Sequence, residues 1–541
     1  MQKISILFSL LGSIAFAAQE AELLPTLKGV VLVDDVSKIK ESLEPIEGIQ
    51  FDGVIADSSL RNELTPYLSS LPLTADGAKE LCEAISAHFH SNEDRRVAVS
   101  LPEQDMNDGV VQVVVTHERV GELNIKNTRY TKPETLKKWV RLASTDAINE
   151  KTLAQDVGWM NTNPFRSVKI AYQPGEKSGV TDVDLVVSDK KSWKISSGVD
   201  NTGTNPVGPI RIFGKLDVND FIFTDHTLNF QATTADHYNE LQTYTLQYIA
   251  PLPWRNSVRI FGSYSETAPH RADYPQKHRQ SYQASGRYSI PHWFGSNPWL
   301  DQISFEAGFD FKGTNTNILF EDDASPVEKR LAYTGQFVGT FSAVRNRNGN
   351  KISAGLDLVG SPAAMLPHQT DGDYNNLRVG ATPQYFYSRL SFSVDQKLPQ
   401  NWKVFLQGRS QLAASVLIPS EQFALGGCGT VRGYDEKAVN GDNAVCGNIE
   451  IRTPEISVAG IWFPKAGDSL SLIGFMDAGY AWYREPVADA PISQGLFGFG
   501  PGLRYNISSY FSSRLDVGFP VLDVVKSSSN PHIHFNAILS Y

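Results

Sequence analysis

The sequence predicts a membrane all-β protein: an antiparallel β-barrel of about sixteen strands preceded by two small α+β modules. Three observations predict it. From about residue 192 to Tyr541 no helical period persists, and segments of alternating polarity follow one another between Gly, Asn, Asp and Pro. Between about residues 46 and 191 one pattern, a strand, two helices and two strands, occurs twice. Beyond the first residues no run reaches the roughly 20 apolar residues that a spanning helix needs, although the chain holds 28 Phe, 20 Tyr and 9 Trp.

The amino-terminal end carries Lys3 and then an apolar run from Ile4 to Ala17 closing on Ala15-Phe16-Ala17. That reads as a cleaved secretory leader, residues 1–17. Residues 18–45 follow as an N-terminal segment, in which Val36 to Leu43 has room for only a short helix. A barrel hides its membrane affinity because lipid-facing and lumen-facing residues alternate, so a mean hydropathy of -0.25 is compatible with it. The formal net charge of -10 argues against a general nucleic-acid binder, which needs a basic face.

The 3 cysteines fit an oxidising compartment. Cys82 shares a helical stripe with Leu81, Ile85 and Phe89 and reads as a small buried hydrophobe. Cys428 and Cys446 flank one short segment; a disulfide between them is expected, against the alternative of two unrelated thiols.

The first module spans residues 46–118. Ile49 to Val54 reads as a strand, Leu60, Leu64, Leu68 and Leu71 recur at helical spacing, and a second helix follows Thr74 as its cap. Strands at Val97 to Leu101 and Val110 to His117 close the unit. The second module, residues 119–191, opens with Leu123-Asn124-Ile125. Thr131-Lys132-Pro133-Glu134 then reads as a capping box with proline in the first turn. Another helix carries Leu153, Val157 and Met160, and after Asn163-Pro164-Phe165-Arg166 come strands at Ser167 to Tyr172 and Asp182 to Val187.

The barrel spans residues 192–541. In Ile303 to Lys312 one face is Ile, Phe, Ala, Phe, Phe and the other Ser, Glu, Gly, Asp, Lys; Trp402, Val404, Leu406 oppose Lys403, Gln407, Arg409, and Leu515, Val517, Phe519 oppose Arg514, Asp516. Strands are expected to start near residues 193, 208, 226, 240, 256, 281, 301, 330, 350, 379, 402, 444, 470, 496, 512 and 532. That even number suits a single-chain barrel, and its size leaves a water-filled lumen. On the last strand Ile533, Phe535, Ala537, Leu539 and Tyr541 share one face.

Between the eleventh and twelfth strands, in a loop over 425–447, lies Gly426-Gly427-Cys428-Gly429-Thr430-Val431-Arg432-Gly433-Tyr434. The thirteenth strand holds Gly474-Phe475-Met476-Asp477-Ala478-Gly479-Tyr480, where period-2 alternation turns Phe475, Asp477 and Gly479 away from lipid. An arginine brought into the lumen wants a carboxylate for its planar fork, and Asp477 is suitable.

Two consecutive β-α-α-β-β modules resemble POTRA domains, and Asn163-Pro164-Phe165-Arg166 resembles a stretch near the end of the second module in the POTRA-barrel superfamily. Val431-Arg432-Gly433-Tyr434 is similar to the motif at the tip of that superfamily's lumen-folding loop, and Phe475, Asp477 and Gly479 to its barrel-wall motif. Phe535, Leu539 and Tyr541 resemble the terminal assembly signal of outer-membrane proteins. With Glu450-Ile451-Arg452-Thr453-Pro454, the whole resembles the two-partner secretion transporters of the haemolysin secretion/activation family.

That resemblance implies an outer-membrane barrel with its POTRA modules in the periplasm, and a lock between Arg432 and Asp477. It implies passage of a secreted polypeptide partner through the lumen, with outer-membrane lipid around the barrel and the barrel-assembly machinery engaged during biogenesis. An assembly factor for other outer-membrane proteins is the alternative. No enzyme, cofactor or nucleotide is expected: Gly-x-Ser-x-Gly, His-Glu-x-x-His and a phosphate loop are lacking, and folding of the partner outside would drive transport. His532 and His534 share a strand face and are expected to line a wet lumen or rim, not to bind metal.

Overall fold

The computed structural model describes residues 26–40, 46–54, 58–68, 70, 74–92, 96–104, 108–177, 179–204, 207–268, 276–294, 299–320, 323–461, 467–485, 491–524 and 530–541. The predicted leader lies outside the described residues. The chain divides into two compact units. One is Met1–Asn124 with Leu142–Thr152 and Ala171–Asp184; the other is Ile125–Arg141 with Leu153–Ile170 and Leu185–Tyr541.

The first module contains β1 (Gly29–Val33), β2 (Gly48–Asp52), α1 (Ser58–Leu64), α2 (Ala75–Asn92), β3 (Val97–Ser100) and β4 (Val110–His117). Its sheet runs β2-β1-β4-β3, with β1 parallel to both neighbours and β3 antiparallel to β4. The module therefore begins well before residue 46. The segment set aside as 18–45 supplies a central strand, and Val36–Lys38 is one 3-10 turn. The missed strand, Gly-Val-Val-Leu-Val, is buried throughout, so it lacks the alternation that marks a half-buried strand. Val30, Leu32, Val111 and Val113 pack against Leu60, Leu64, Leu81, Cys82, Ile85 and Phe89, as the helical stripes require. Thr74 caps α2, its Oγ1 accepting the Gly77 N–H at 3.0 Å.

The second module contains β5 (Arg119–Lys126), α3 (Pro133–Lys137), α4 (Glu150–Met160), β6 (Arg166–Pro174) and β7 (Val180–Asp189), in sheet order β5-β7-β6. The expected capping box is not formed. Lys132 is the N-cap, without a side-chain bond, because Asp189 has taken the N–H groups of Tyr130 and Thr131 at 2.8 and 2.6 Å. Partial burial pushes the Asp189 carboxyl up, but these backbone donors, with Arg129 N–H, outweigh it and hold the group below its ordinary value.

The rest closes into one barrel. Its strands begin with β8 (Trp193–Asp200), β9 (Arg211–Asn219), β10 (Thr227–Ala235), β11 (Leu241–Pro251), β12 (Ser257–Thr267), β13 (Gln276–Trp293), β14 (Gln302–Phe320), β15 (Asp323–Arg347) and β16 (Asn350–Ser361). After α5 (Asp371–Leu377) come β17 (Tyr385–Lys397) and β18 (Lys403–Ala413). A hairpin of β19 (Phe423–Leu425) and β20 (Val439–Gly441) precedes β21 (Asn443–Arg452), β22 (Asp468–Trp482), β23 (Ser493–Ile507), β24 (Phe511–Pro520) and β25 (His532–Ser540). With the hairpin aside, 16 strands form the closed ring, and β25 pairs antiparallel with β8.

Alternation sets the two faces. On β22, Leu472, Met476 and Tyr480 are 52%, 45% and 46% exposed on the outer face, while Phe475 and Asp477 are 5% and 0% exposed towards the lumen. The strand expected from about 379 starts at Tyr385, because residues 371–377 form a helix capped by Thr370. An even strand number returns the chain to the side it left. The long connections 362–384 and 414–442 therefore share one rim, the one opposite the rim at which the chain enters β8.

Candidate functional site

The connection from Ala413 to Asn443 folds into the barrel instead of over its rim. Val416, Leu417 and Ile418 start it, packed with Tyr374, Tyr385 and Tyr387. The hairpin pairs Phe423 with Gly441 and Leu425 with Val439, and the segment between them forms the tip. The loop leaves its strand earlier than the expected 425, and Cys446 belongs to β21.

At the tip Arg432 is 2% exposed. Its Nε donates to Asp477 Oδ2 at 2.7 Å and its Nη2 to Asp477 Oδ1 at 2.8 Å, the two parallel bonds of a guanidinium fork. The Arg432 N–H adds a third bond to Asp477 Oδ2 at 3.0 Å. Nη1 reaches Glu450 Oε1 at 2.6 Å, and the guanidinium lies 3.6 Å from the Phe475 ring centroid. Neighbouring strands supply further charge: Arg452 Nη2 meets Glu450 at 2.8 Å, and Arg504 Nη1 and Arg514 Nε meet Asp516, each at 2.6 Å. Register explains the clustering, since Glu450 is opposite Phe475, Asp516 opposite Gly502, and inward residues of adjacent strands lie side by side.

The tip approaches the wall closely because the wall lacks side chains there. Gly433 turns with φ 98°; a Cβ on Gly518 would stand 2.3 Å from Gly433 N, and one on Gly498 would stand 2.0 Å from Arg432 O. The Gly433 N–H donates to His534 Nε2 at 3.1 Å. Tyr434 places its hydroxyl 2.9 Å from both Phe497 O and Leu522 O, while accepting the Leu522 N–H at 3.0 Å. Val431 is buried with Leu425, Ala444 and Cys446. The expected residues of both motifs thus meet, and Gly479 leaves room for Val431, whose Cγ2 would be 2.9 Å from a Cβ there.

The disulfide is not formed: Cys82, Cys428 and Cys446 are all free. Cys446 faces the apolar cluster around Val431, whereas Cys428 sits where its N–H donates to Glu436 Oε1 at 2.7 Å and its carbonyl accepts from Arg514 at 3.2 Å. Backbone bonds of the tip thus set Cys428 independently of Cys446. Burial, then the Glu436 charge, pushes the Cys428 thiol up to about 12. Among the described residues no cluster of potential metal ligands is present, and His532 and His534 both face the loop tip.

Two further anchors hold the outer part of the loop. Glu421 accepts Lys312 Nζ at 2.8 Å and the Tyr387 hydroxyl at 2.9 Å. Asp442 accepts both ends of the Arg378 fork, Nη2 at 2.9 Å, together with the Leu417 and Arg484 N–H groups at 3.0 and 2.9 Å. These four charged residues carry no local motif and were missed from sequence. Of the lock's remaining members, Arg514 and Asp516 were visible only as charges on one strand face, and Glu450 and Arg452 only within the stretch Glu450 to Pro454 that carries the resemblance.

Residues 333–505 match the family described as Haemolysin secretion/activation protein ShlB/FhaC/HecB. The "Heme/hemopexin transporter protein HuxB" of Haemophilus influenzae (strain 86-028NP) is 20% identical over 374 residues, 67% of this chain and 63% of that protein. The "Outer membrane transporter CdiB-2" of Burkholderia pseudomallei (strain 1026b) is 21% identical over 421 residues, 72% of this chain and 65% of that protein. The chain thus matches less than two thirds of the length of either relative. Among solved structures, CdiB from Escherichia coli aligns with a TM-score of 0.70 at 15% identity, covering 98% of this chain and 93% of that one, which shows the shared fold. The chain thus has the fold of an outer-membrane transporter of this kind, a closed barrel of 16 strands behind α+β modules, and over residues 333–505 it is similar to the haemolysin secretion/activation proteins.

Proposed function

We propose that the chain moves a specific exported polypeptide from the periplasm across the outer membrane through its own lumen, without covalent chemistry on it. The observation that carries this reading is the loop inside the barrel, held at its tip by Arg432 on Asp477. A loop folded into the lumen and held at its tip by polar anchors would clear the passage by exchanging those bonds for water. The seam between β25 and β8 favours passage through the lumen over lateral release into lipid. It pairs from Asn536–Asp200 to Ser540–Ser196, and reciprocal bonds between Ile195 and Tyr541 extend it. An assembly factor that templates other barrels needs an open edge there.

The partner would be gripped by strand addition to the modules, whose edge strands include β3 and β6. Phe535, Leu539 and Tyr541, of which the last two are exposed on the outer face, would present the barrel to the assembly machinery during insertion. The test is secretion of the exported polypeptide encoded beside this chain's gene. Arg432→Ala and Arg432→Ala/Asp477→Ala are expected to be about equally defective, with the barrel still inserted and heat-modifiable. Strictly additive losses would sink the lock, because residues in one interaction are non-additive.

A further inference from the structure

We propose that Asn163 and Arg166 are positioning residues for translocation: through Asp225 they clamp the second module to the barrel's inner rim, so that a chain held by the module is presented to the mouth. The proposal rests on the transport reading above. Its geometry does not, because every residue concerned lies in one compact unit.

Helix α4 ends at Met160, and the next residues turn back towards β6. Asn163 fixes that turn by accepting the Phe165 N–H at 3.0 Å, and Arg166 Nε donates to Met160 O at 3.0 Å. The turn's remaining polar atoms point at the barrel. Both ends of the Arg166 fork meet Asp225, Nη2 at 3.1 Å, and Asn163 Nδ2 donates to Asn219 Oδ1 at 2.8 Å and to Asp225 Oδ1 at 3.2 Å. Asp225 sits in the turn between β9 and β10 at φ 67°, steadied by its own N–H on Asp220 Oδ1 at 2.7 Å, and also accepts Trp139 Nε1 at 3.2 Å.

Two neighbouring places repeat the attachment. Asp156, fully buried, takes Arg141 Nε at 2.8 Å and Arg255 Nη1 at 2.6 Å, and Arg255 belongs to the turn between β11 and β12. Gln155 Nε2 donates to Trp293 O at 3.1 Å, and Trp159 meets Trp293 edge to face, with ring centroids 6.0 Å apart.

The Arg166 and Asp225 side chains are 4% and 6% exposed, which decides what the pair does. An exposed pair would be screened and transient. A buried one gains little net stability over an apolar contact, yet it is costly to break on one side and it fixes direction through the planar fork. Apolar packing alone would let the module slide over the rim; the fork sets its angle. That makes the contact suited to aiming the module, and it gives Asn163-Pro164-Phe165-Arg166 a role that the lumen lock leaves unassigned.

The test uses the full chain with Cys82, Cys428 and Cys446 changed to Ser, and spin labels at Lys138→Cys and Ser509→Cys, both exposed, one on the module and one in a barrel turn. Pulsed electron resonance is expected to give a narrow distance distribution in this parent, a broad one in Arg166→Glu, and a narrow one again in Arg166→Glu/Asp225→Arg. Because residue 225 is left-handed, the swap is judged against Asp225→Arg alone, which carries the same backbone strain. Secretion should fall in each single variant while the affinity for the exported polypeptide encoded beside the gene is unchanged. The swap should recover secretion by at least about threefold over the additive expectation.

A distribution that stays narrow in Arg166→Glu overturns the clamp. Secretion and partner affinity falling in parallel, with neither restored by the swap, overturns the positioning role. If the parent secreted nothing, the transport reading would fall by itself, and the distance measurement would still judge the clamp.

Discussion

Arg432 donates three bonds to Asp477, two from its guanidinium and one from its main chain, and Arg432 is the sole cation bonded to that carboxylate among the described residues. Glu450 and Asp516 differ, since Arg452, Arg504 and Arg514 would still serve them without Arg432. Arg432→Ala is therefore expected to strand one buried charge in particular, at a cost of about 3–5 kcal/mol in loop docking. Asp477→Asn on that background should return part of the loss. Hydrogen exchange over residues 426–438 reads it, and equal exchange in Arg432→Ala and Arg432→Ala/Asp477→Asn would show that Asp477 is not the stranded group.

The wall glycines give an independent handle on the same loop. Gly518→Ala places a methyl against the Gly433 main chain, where no flexible side-chain end gives way. It should loosen the tip by about 1–3 kcal/mol, the usual cost of overpacking, without touching the barrel's ladder. Conductance of the purified protein in planar bilayers should rise or become noisy. A trace matching the parent would mean the tip does not need that approach.

How much of this was legible follows from the range over which each feature is encoded. Alternation is local, so all sixteen barrel strands begin within about seven residues of their expected starts even where turns are short. Arg432 and Asp477 were legible because each sits in its own short motif. Lys312–Glu421 and Arg378–Asp442 were not, since each joins residues more than 60 positions apart with nothing distinctive around them. Strand β1 was overlooked because a strand buried on both faces does not alternate, and the cysteine pair misled because spacing along the chain says nothing of where a folded-in tip turns its thiol.

Cys428 lies in the loop tip and gives a chemical prediction. A thiol pushed up to about 12 holds roughly a thousandfold less thiolate at pH 8 than an ordinary one. Alkylation of the folded protein at that pH should therefore be very slow. Glu436→Gln removes the second-largest cause of the shift and should speed it. After denaturation without reductant, mass spectrometry should find all three cysteines alkylated; a linked Cys428–Cys446 peptide would contradict the free thiols.

The outer anchor should depend on pH in a definite direction. Burial raises the Asp442 carboxyl, but Arg378 and the N–H groups of Arg484 and Leu417 outweigh it, and the net shift is downwards. A depressed carboxyl contributes stability that is present above its unfolded value, about 3.9, and lost only as pH falls through the lower folded value. Loop docking measured by protease protection should accordingly persist through pH 4. Asp442→Asn should weaken it already at neutral pH, leaving Arg378 without its counter-charge; protection unchanged in that variant would remove Asp442 from the anchor.

Partner capture by strand addition makes the most exposed prediction, and the structure distinguishes the edges of β3 and β6. On β6 the Val168 N–H donates to Asn161 Oδ1 at 2.7 Å and its carbonyl accepts from Asn161 Nδ2 at 3.0 Å, so the start of that edge is already occupied. On β3 the Glu118 N–H donates to Arg96 O, and pairing continues through Ala98–Thr116 and Ser100–Val114. Alternate residues, Val97 and Val99, therefore turn their main-chain groups to the open side. Val99→Pro removes one outward donor while sparing the inward ladder, and binding of the exported polypeptide should weaken by about fivefold for one lost hydrogen bond. Val168→Pro should chiefly break the internal bond to Asn161. Circular dichroism of each full-length variant must match the parent for the comparison to stand. A folded Val99→Pro variant that bound the polypeptide as tightly as the parent would show that this edge is not the docking strand.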